Sequence, residues 1–153
     1  VDVMNEIYEK YGYYLDALDN FTLKGIDGVE KRIFTDEPIY AVSFGAIPTP
    51  DIITSPEKME KVRAAFPECK PDDLAGLMKN SRSFAEKSGL LTPRLMEILS
   101  ACDAKGVMAS MTMLGEGIFA FGKDAKSVLS EFGEVYTLSV SKTGPVILED
   151  SYV

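Results

Sequence analysis

Apolar residues recur along this chain in two periods, one helical and one extended. Val3, Ile7, Tyr11, Leu15 and Leu18 fall at helical spacing, so residues 3–18 read as an amphipathic helix. Phe21 to Lys24 and Val29 to Phe34 flank Gly25-Ile-Asp-Gly28 and predict a hairpin. Past Asp36-Glu-Pro38, the apolar run Ile39 to Phe44 reads as a short buried strand. Gly45 to Pro50 reads as a loop whose two prolines hold off a helix until Pro50 has passed.

Three helices follow. The first is capped by Ser55, has Pro56 in its first turn, and carries Met59, Val62 and Phe66. A second starts at Asp72 with Leu74, Leu77, Met78, Ser81, Phe84 and Ala85 on one stripe, and stops near Gly89. Thr92-Pro93 opens the third, which carries Leu95, Ile98, Leu99 and Cys102 and ends at Lys105-Gly106. From Ala109 to Phe121, two apolar segments are joined by Met113-Leu-Gly-Glu-Gly117, which reads as strand, glycine loop, strand. Gly115 and Gly117 permit close approaches that a Cβ blocks. Either this is a hairpin turn between core strands, or its N–H groups face an anion. A last helix with Ala125, Val128, Leu129 and Phe132 ends at Gly133, and Val135 to Val140 is a closing strand. Beyond Thr143-Gly-Pro145, Val146 to Leu148 adds a short extension.

From Pro38 onward the order is strand, helices, strand, strand, helix, strand. That is the split βαβ pattern, an α+β class with a ferredoxin-like antiparallel sheet and extra helices in the first crossover. The chain divides into a helix and hairpin over residues 1–36 and the ferredoxin-like domain over 37–153.

Composition narrows the chemistry. With 153 residues and 46% hydrophobic content the chain can bury a real core. The absence of His excludes imidazole metal sites and Ser-His or Cys-His nucleophile systems. A formal charge of −8 argues against a nucleic-acid surface. No apolar run is long enough to span a bilayer and no secretory h-region is present, so the expectation is an acidic cytoplasmic protein without membrane contact. Cys69 and Cys102 then read as two free thiols. Neither Gly-x-x-x-x-Gly-Lys-Ser/Thr nor a Gly-Leu-Ser-Ser-type run occurs, so no ATP cradle is visible.

Three segments, in order, resemble the GHMP small-molecule kinases: Val42 to Thr49, Ser81 to Leu90, and Ala109 to Phe121. Met113-Leu-Gly115 followed by Ile118-Phe-Ala120 is similar to the archaeal pantoate kinase branch of that family. The resemblance implies a C-terminal, substrate-side domain of an ATP-dependent kinase, with residues 1–36 as the tail end of the N-terminal part. It implies transfer of the ATP γ-phosphate to pantoate in coenzyme A biosynthesis. ATP and Mg²⁺ would serve the full-length enzyme, and none would be bound by this chain alone. The implied partners are a pantoate-like substrate and an N-terminal kinase domain in cis or in trans; a homodimer is a further expectation, one that does not come from the resemblance. Val1 in place of an initiator Met agrees with an excised C-terminal part.

By the same resemblance, Asp2 is the general base, although an N-cap explains it equally from the residues alone. Ser43 and Thr49 sit in a loop that faces the substrate, or serve turn chemistry and capping. Arg82 can reach a carboxylate or phosphate, or is an ordinary exposed helical Arg. Met113, Leu114, Gly115, Glu116 and Gly117 form the loop that holds substrate or transferred phosphate. Glu116 departs from the family's glycine run and would repel a phosphate if it pointed inward. Either it faces solvent or the loop binds something else. Alternatives are another GHMP kinase, of the mevalonate or homoserine type, and a stand-alone ferredoxin-like module that binds a metabolite or dimerises.

Overall fold

Strand β3 (Ile39–Ala46) is the strand on which the sheet is assembled. The computed structural model describes residues 21–23, 29–31, 35–67, 71, 73–112 and 115–140. Within them β1 (Phe21–Leu23) and β2 (Val29–Lys31) pair antiparallel, as the turn-rich segment between them suggests. β3 lies between β5 (Gly115–Phe121) and β6 (Tyr136–Leu138), and β5 pairs on its other side with β4 (Met108–Met111). The order β4-β5-β3-β6, antiparallel throughout, is the split βαβ arrangement expected from the sequence.

Five helices complete the described residues: α1 (Thr49–Ile53), α2 (Pro56–Ala65), α3 (Leu74–Ser88), α4 (Pro93–Ala104) and α5 (Ala125–Ser130). Four of them lie between β3 and β4, so the first crossover holds the extra helices. Side chains cap three starts. Ser55 accepts from the Lys58 N–H, Asp73 from Gly76 and Thr92 from Leu95. On α4, Leu95, Ile98, Leu99 and Cys102 are fully buried on one stripe. Burial of each Leu or Ile side chain there stabilises by about 1.5–3 kcal/mol. α2 and α3 pack as a pair, with the Phe66 and Phe84 rings edge to face at 5.1 Å. In β5 every residue from Gly117 to Phe121 is buried, so both faces of this strand are covered. No described helix is long and apolar enough to cross a membrane.

Four boundaries differ from the pattern-based expectation. β3 runs on through Gly45 and Ala46, with a bulge between Ser43 and Ala46. The prolines do not delay a helix, because α1 begins at Thr49 with Pro50 in its first turn, where a missing N–H costs nothing. The cap of α3 is Asp73 rather than Asp72. α5 stops at Ser130 and β6 is three residues long, each shorter than its apolar pattern. The helix expected over 3–18, the extension at 146–148 and Cys69 lie outside the described residues.

Candidate functional site

At the end where β4 and β5 meet, hydrogen bonds converge on Thr112. The Gly115 N–H donates to the Thr112 carbonyl at 3.2 Å, and the Thr112 N–H donates to the Gly117 carbonyl at 2.9 Å. The Thr112 hydroxyl donates to the Gly115 carbonyl at 3.2 Å and lies 3.5 Å from that of Gly117. Side chains at 115 and 117 would collide with this arrangement. A Cβ on Gly115 would stand 2.7 Å from Thr112 Oγ1; one on Gly117 would stand 2.8 Å from the Val42 carbonyl and 3.0 Å from Thr112 Oγ1. The glycines therefore begin strand β5 rather than lie in a free loop; Gly117 admits the β3 backbone to close range and Gly115 admits the Thr112 side chain.

Strand alternation sorts the side chains at this end of the sheet. Ser43 pairs with Gly117 and Ala46 with Gly115, so both glycines share a face with the exposed Ser43. Thr112 stands on that face too, since its hydroxyl occupies the space beside both glycines. Ser110, two residues earlier, is buried there, and its hydroxyl has no hydrogen-bond partner among the described residues. Glu116 points the opposite way. Its carboxylate accepts from the Thr92 hydroxyl at 2.8 Å and lies 4.0 Å from Arg94, both at the start of α4. The Arg94 guanidinium also stacks 4.7 Å from the centre of the Phe44 ring. A carboxylate therefore lies beside the glycines in sequence but on the other side of the strand. That removes the repulsion which an inward Glu116 would exert on a phosphate.

Thr49 is exposed at the first position of α1, three residues past Ala46, and so belongs to the same end of the sheet. Arg82 does not. Its Nε donates to Glu86 at 2.7 Å, its Nη2 to Asp103 at 2.7 Å, and its Nη1 lies 3.5 Å from the Ala109 carbonyl. Ala109 is three strand residues from Thr112, about 10 Å at roughly 3.3 Å per residue. Two clefts of about 420 and 320 Å³ flank Arg82, lined by residues such as Gly89, Met96 and Ser100 in one and Lys79, Asp103 and Met108 in the other, not by the hairpin end. Next to Asp103, Cys102 is a free, buried thiol pushed up to about 11, first by burial and then by the Asp103 charge, with Arg82 opposing. Asp2, Met113 and Leu114 lie outside the described residues.

Pattern reasoning missed Thr112, Thr92 and Arg94 as parts of this end. Thr92 was legible as a cap, but its bond to Glu116 spans 24 residues and has no local signal. Among the described residues, no group of three or more His, Cys, Asp or Glu side chains is placed to hold a metal ion.

Residues 62–138 match the family described as GHMP kinases C terminal, a segment that runs from α2 through the glycine hairpin to β6. Over 124 residues the chain is 44% identical to a pantoate kinase of Methanospirillum hungatei, covering 81% of this chain and 43% of that protein. Over 128 residues it is 30% identical to a pantoate kinase of Thermococcus kodakarensis, covering 75% of this chain and 42% of that one. A solved structure titled a phosphotransferase related to the CoA biosynthesis pathway superposes with a TM-score of 0.55 at 28% identity, over 80% of this chain and 43% of that one. The chain thus spans less than half the length of the relatives it matches. By the family match, and with the strand order and the glycine hairpin in agreement, the chain belongs to the GHMP kinases and carries their C-terminal domain.

Proposed function

We propose that this domain forms the substrate side of an ATP-dependent kinase that converts pantoate to 4-phosphopantoate for coenzyme A biosynthesis. The acceptor hydroxyl oxygen bonds to the γ-phosphorus of ATP, the bond from that phosphorus to the β-phosphate oxygen breaks, and ADP leaves. The hydroxyl proton passes to a base, for which Asp2 is the candidate. Phosphoryl transfer depends mainly on positioning and charge stabilisation. The described residues supply positioning: the Ser43 hydroxyl and the exposed Thr49 line the acceptor, and Gly115 and Gly117, without side chains, leave room for it on the face they share with Ser43. Mg²⁺ and the ATP phosphates would be held by the other half that the longer relatives contain.

One observation carries the reading from family to site. Gly115, Gly117 and Ser43 share a face from which the Glu116 carboxylate is turned away. The pantoate assignment is supported by the 44% identity to a protein of that name. Full-length protein supplied with ATP and pantoate, mevalonate or homoserine should give a phosphorylated product, read by phosphorus NMR, from pantoate alone. Ser43→Ala should then raise the KM for pantoate by about 3–10-fold, the worth of one hydrogen bond, and leave the KM for ATP unchanged. Turnover of mevalonate or homoserine in preference to pantoate would overturn the assignment.

A further inference from the structure

Helix α4 carries the wrong charge at both ends. Arg94 stands in its first turn, where the exposed N–H groups disfavour a cation, and Asp103 in its last, where the carbonyls disfavour an anion. Each is answered from another element. Arg82 of α3 meets Asp103 at 2.7 Å, and Glu116 of β5 brings a carboxylate to Thr92 and Arg94. Arg94 reaches further, stacking on Phe44 of β3 beside the bulge. The start of α4 is therefore tied to both strands that form the glycine face, to β5 through Glu116 and to β3 through Phe44.

We infer that Glu116 and Arg94 are positioning residues. Together they hold Thr112, the start of β5 at 115–117 and the β3 segment 43–46 in one arrangement, so that the Ser43 hydroxyl and the open face left by Gly115 and Gly117 meet the acceptor as a set. Glu116 does not touch the reacting groups. Its carboxylate is engaged by a hydroxyl, a guanidinium and the positive end of a helix, on the side of β5 away from the glycine face. The kinetic part of this inference rests on the kinase reading; the structural part does not.

The test uses full-length protein carrying Glu116→Ala, Glu116→Gln or Arg94→Met. Hydrogen exchange is followed in peptides covering 108–121 and 39–46, and turnover is measured with pantoate. Glu116→Ala should speed exchange at 112–117 by about tenfold or more, while the buried stripe of α4 stays protected. It should lower kcat/KM for pantoate by about 10–100-fold, as a displaced positioning group does, with the KM for ATP unchanged. Glu116→Gln keeps an oxygen for the Thr92 hydroxyl, so it should restore exchange to near the wild-type rate and recover most of kcat/KM. Arg94→Met should loosen 39–46 as well as 112–117. Wild-type exchange in Glu116→Ala overturns the inference. So does a Glu116→Gln protein with wild-type exchange but the low turnover of Glu116→Ala, because the charge would then act on a ligand directly. A wild-type protein that fails to phosphorylate pantoate overturns the substrate assignment, and the exchange result still decides this one.

Discussion

The two ends of α4 pose the same electrostatic problem and solve it with different tightness. At the C-terminal end the Arg82 side chain is 21% exposed and bonds two carboxylates at 2.7 Å each. At the N-terminal end, about 14 Å away at roughly 1.5 Å per helical residue, the Arg94 side chain is 56% exposed and meets one carboxylate at 4.0 Å. The tight end joins α3, α4 and β4 and lies away from Gly115 and Gly117. The loose end borders the glycine face. An arginine that looks available from its place in a motif is thus the one already occupied, and the less constrained guanidinium lies where adjustment to a ligand has value.

The largest effect expected from a single change falls at the loose end, in its packing rather than its charges. Gly117→Ala places a methyl 2.8 Å from the Val42 carbonyl, a backbone atom that cannot swing aside. Replacing Gly with Ala also restricts the unfolded chain, which stabilises by about 0.4–1 kcal/mol. Overpacking against a paired strand costs about 2–3 kcal/mol and wins. Urea unfolding should therefore show a net loss of about 2 kcal/mol. A loss below about 0.5 kcal/mol, the range of a neutral surface substitution, would mean that β3 and β5 separate easily here, and the contrast between a closed glycine face and a loose charge pair would fail.

Much of this architecture was legible in the sequence because it is encoded locally. Ser55-Pro56 and Thr92-Pro93 announce helix starts, and the stripe Leu95, Ile98, Leu99, Cys102 announces a buried face. The site was only half legible. Gly115 and Gly117 mark a close approach, but what approaches them is Val42 and Thr112, which register alone decides. The side of β5 taken by Glu116 depends on where strand pairing begins, since a one-residue slip would reverse it. Arg82 could not be assigned from its helix stripe, because Asp103 and the Ala109 carbonyl reach it from 21 and 27 residues away.

The tight end should also appear in alkaline solution. Folding raises the Cys102 thiol from 9.0 to about 11, mainly through burial. Between those values the unfolded chain has lost its proton and the folded chain has kept it. The contribution is therefore complete below pH 9 and is lost as pH rises towards 11, roughly 2 kcal/mol in all. By urea unfolding at pH 8 and 10.5, the pH-dependent losses of wild type and Cys102→Ala should diverge, with wild type losing more between the two pH values, on top of a constant offset from the truncated core. In an Arg82→Met background the divergence should widen, because Arg82 opposes the shift. Parallel behaviour of wild type and Cys102→Ala would show that this end is not closed to solvent.

The two arginines give the smallest stability effects and the sharpest contrast. Arg82→Met removes two charge-assisted bonds, but Asp103 and Glu86 are 60% and 54% exposed and return to water, so screening reduces the loss to about 1 kcal/mol. Arg94→Met removes one long pair and an exposed stack on Phe44, and should cost about 0.5 kcal/mol. Activity should rank them the other way. Arg82→Met leaves the glycine face and its ties untouched, so the KM for pantoate should stay within about twofold of wild type, whereas Arg94→Met frees Phe44 and Glu116 together and should raise it by about tenfold. If Arg82→Met proved the more damaging to KM, the acceptor would have to lie in the clefts around Arg82, and the end of the sheet taken here as the site would be the wrong one. Thermal stability and KM measured on the same two proteins separate these cases, because a purely structural role for either arginine predicts that the two quantities fall in the same order.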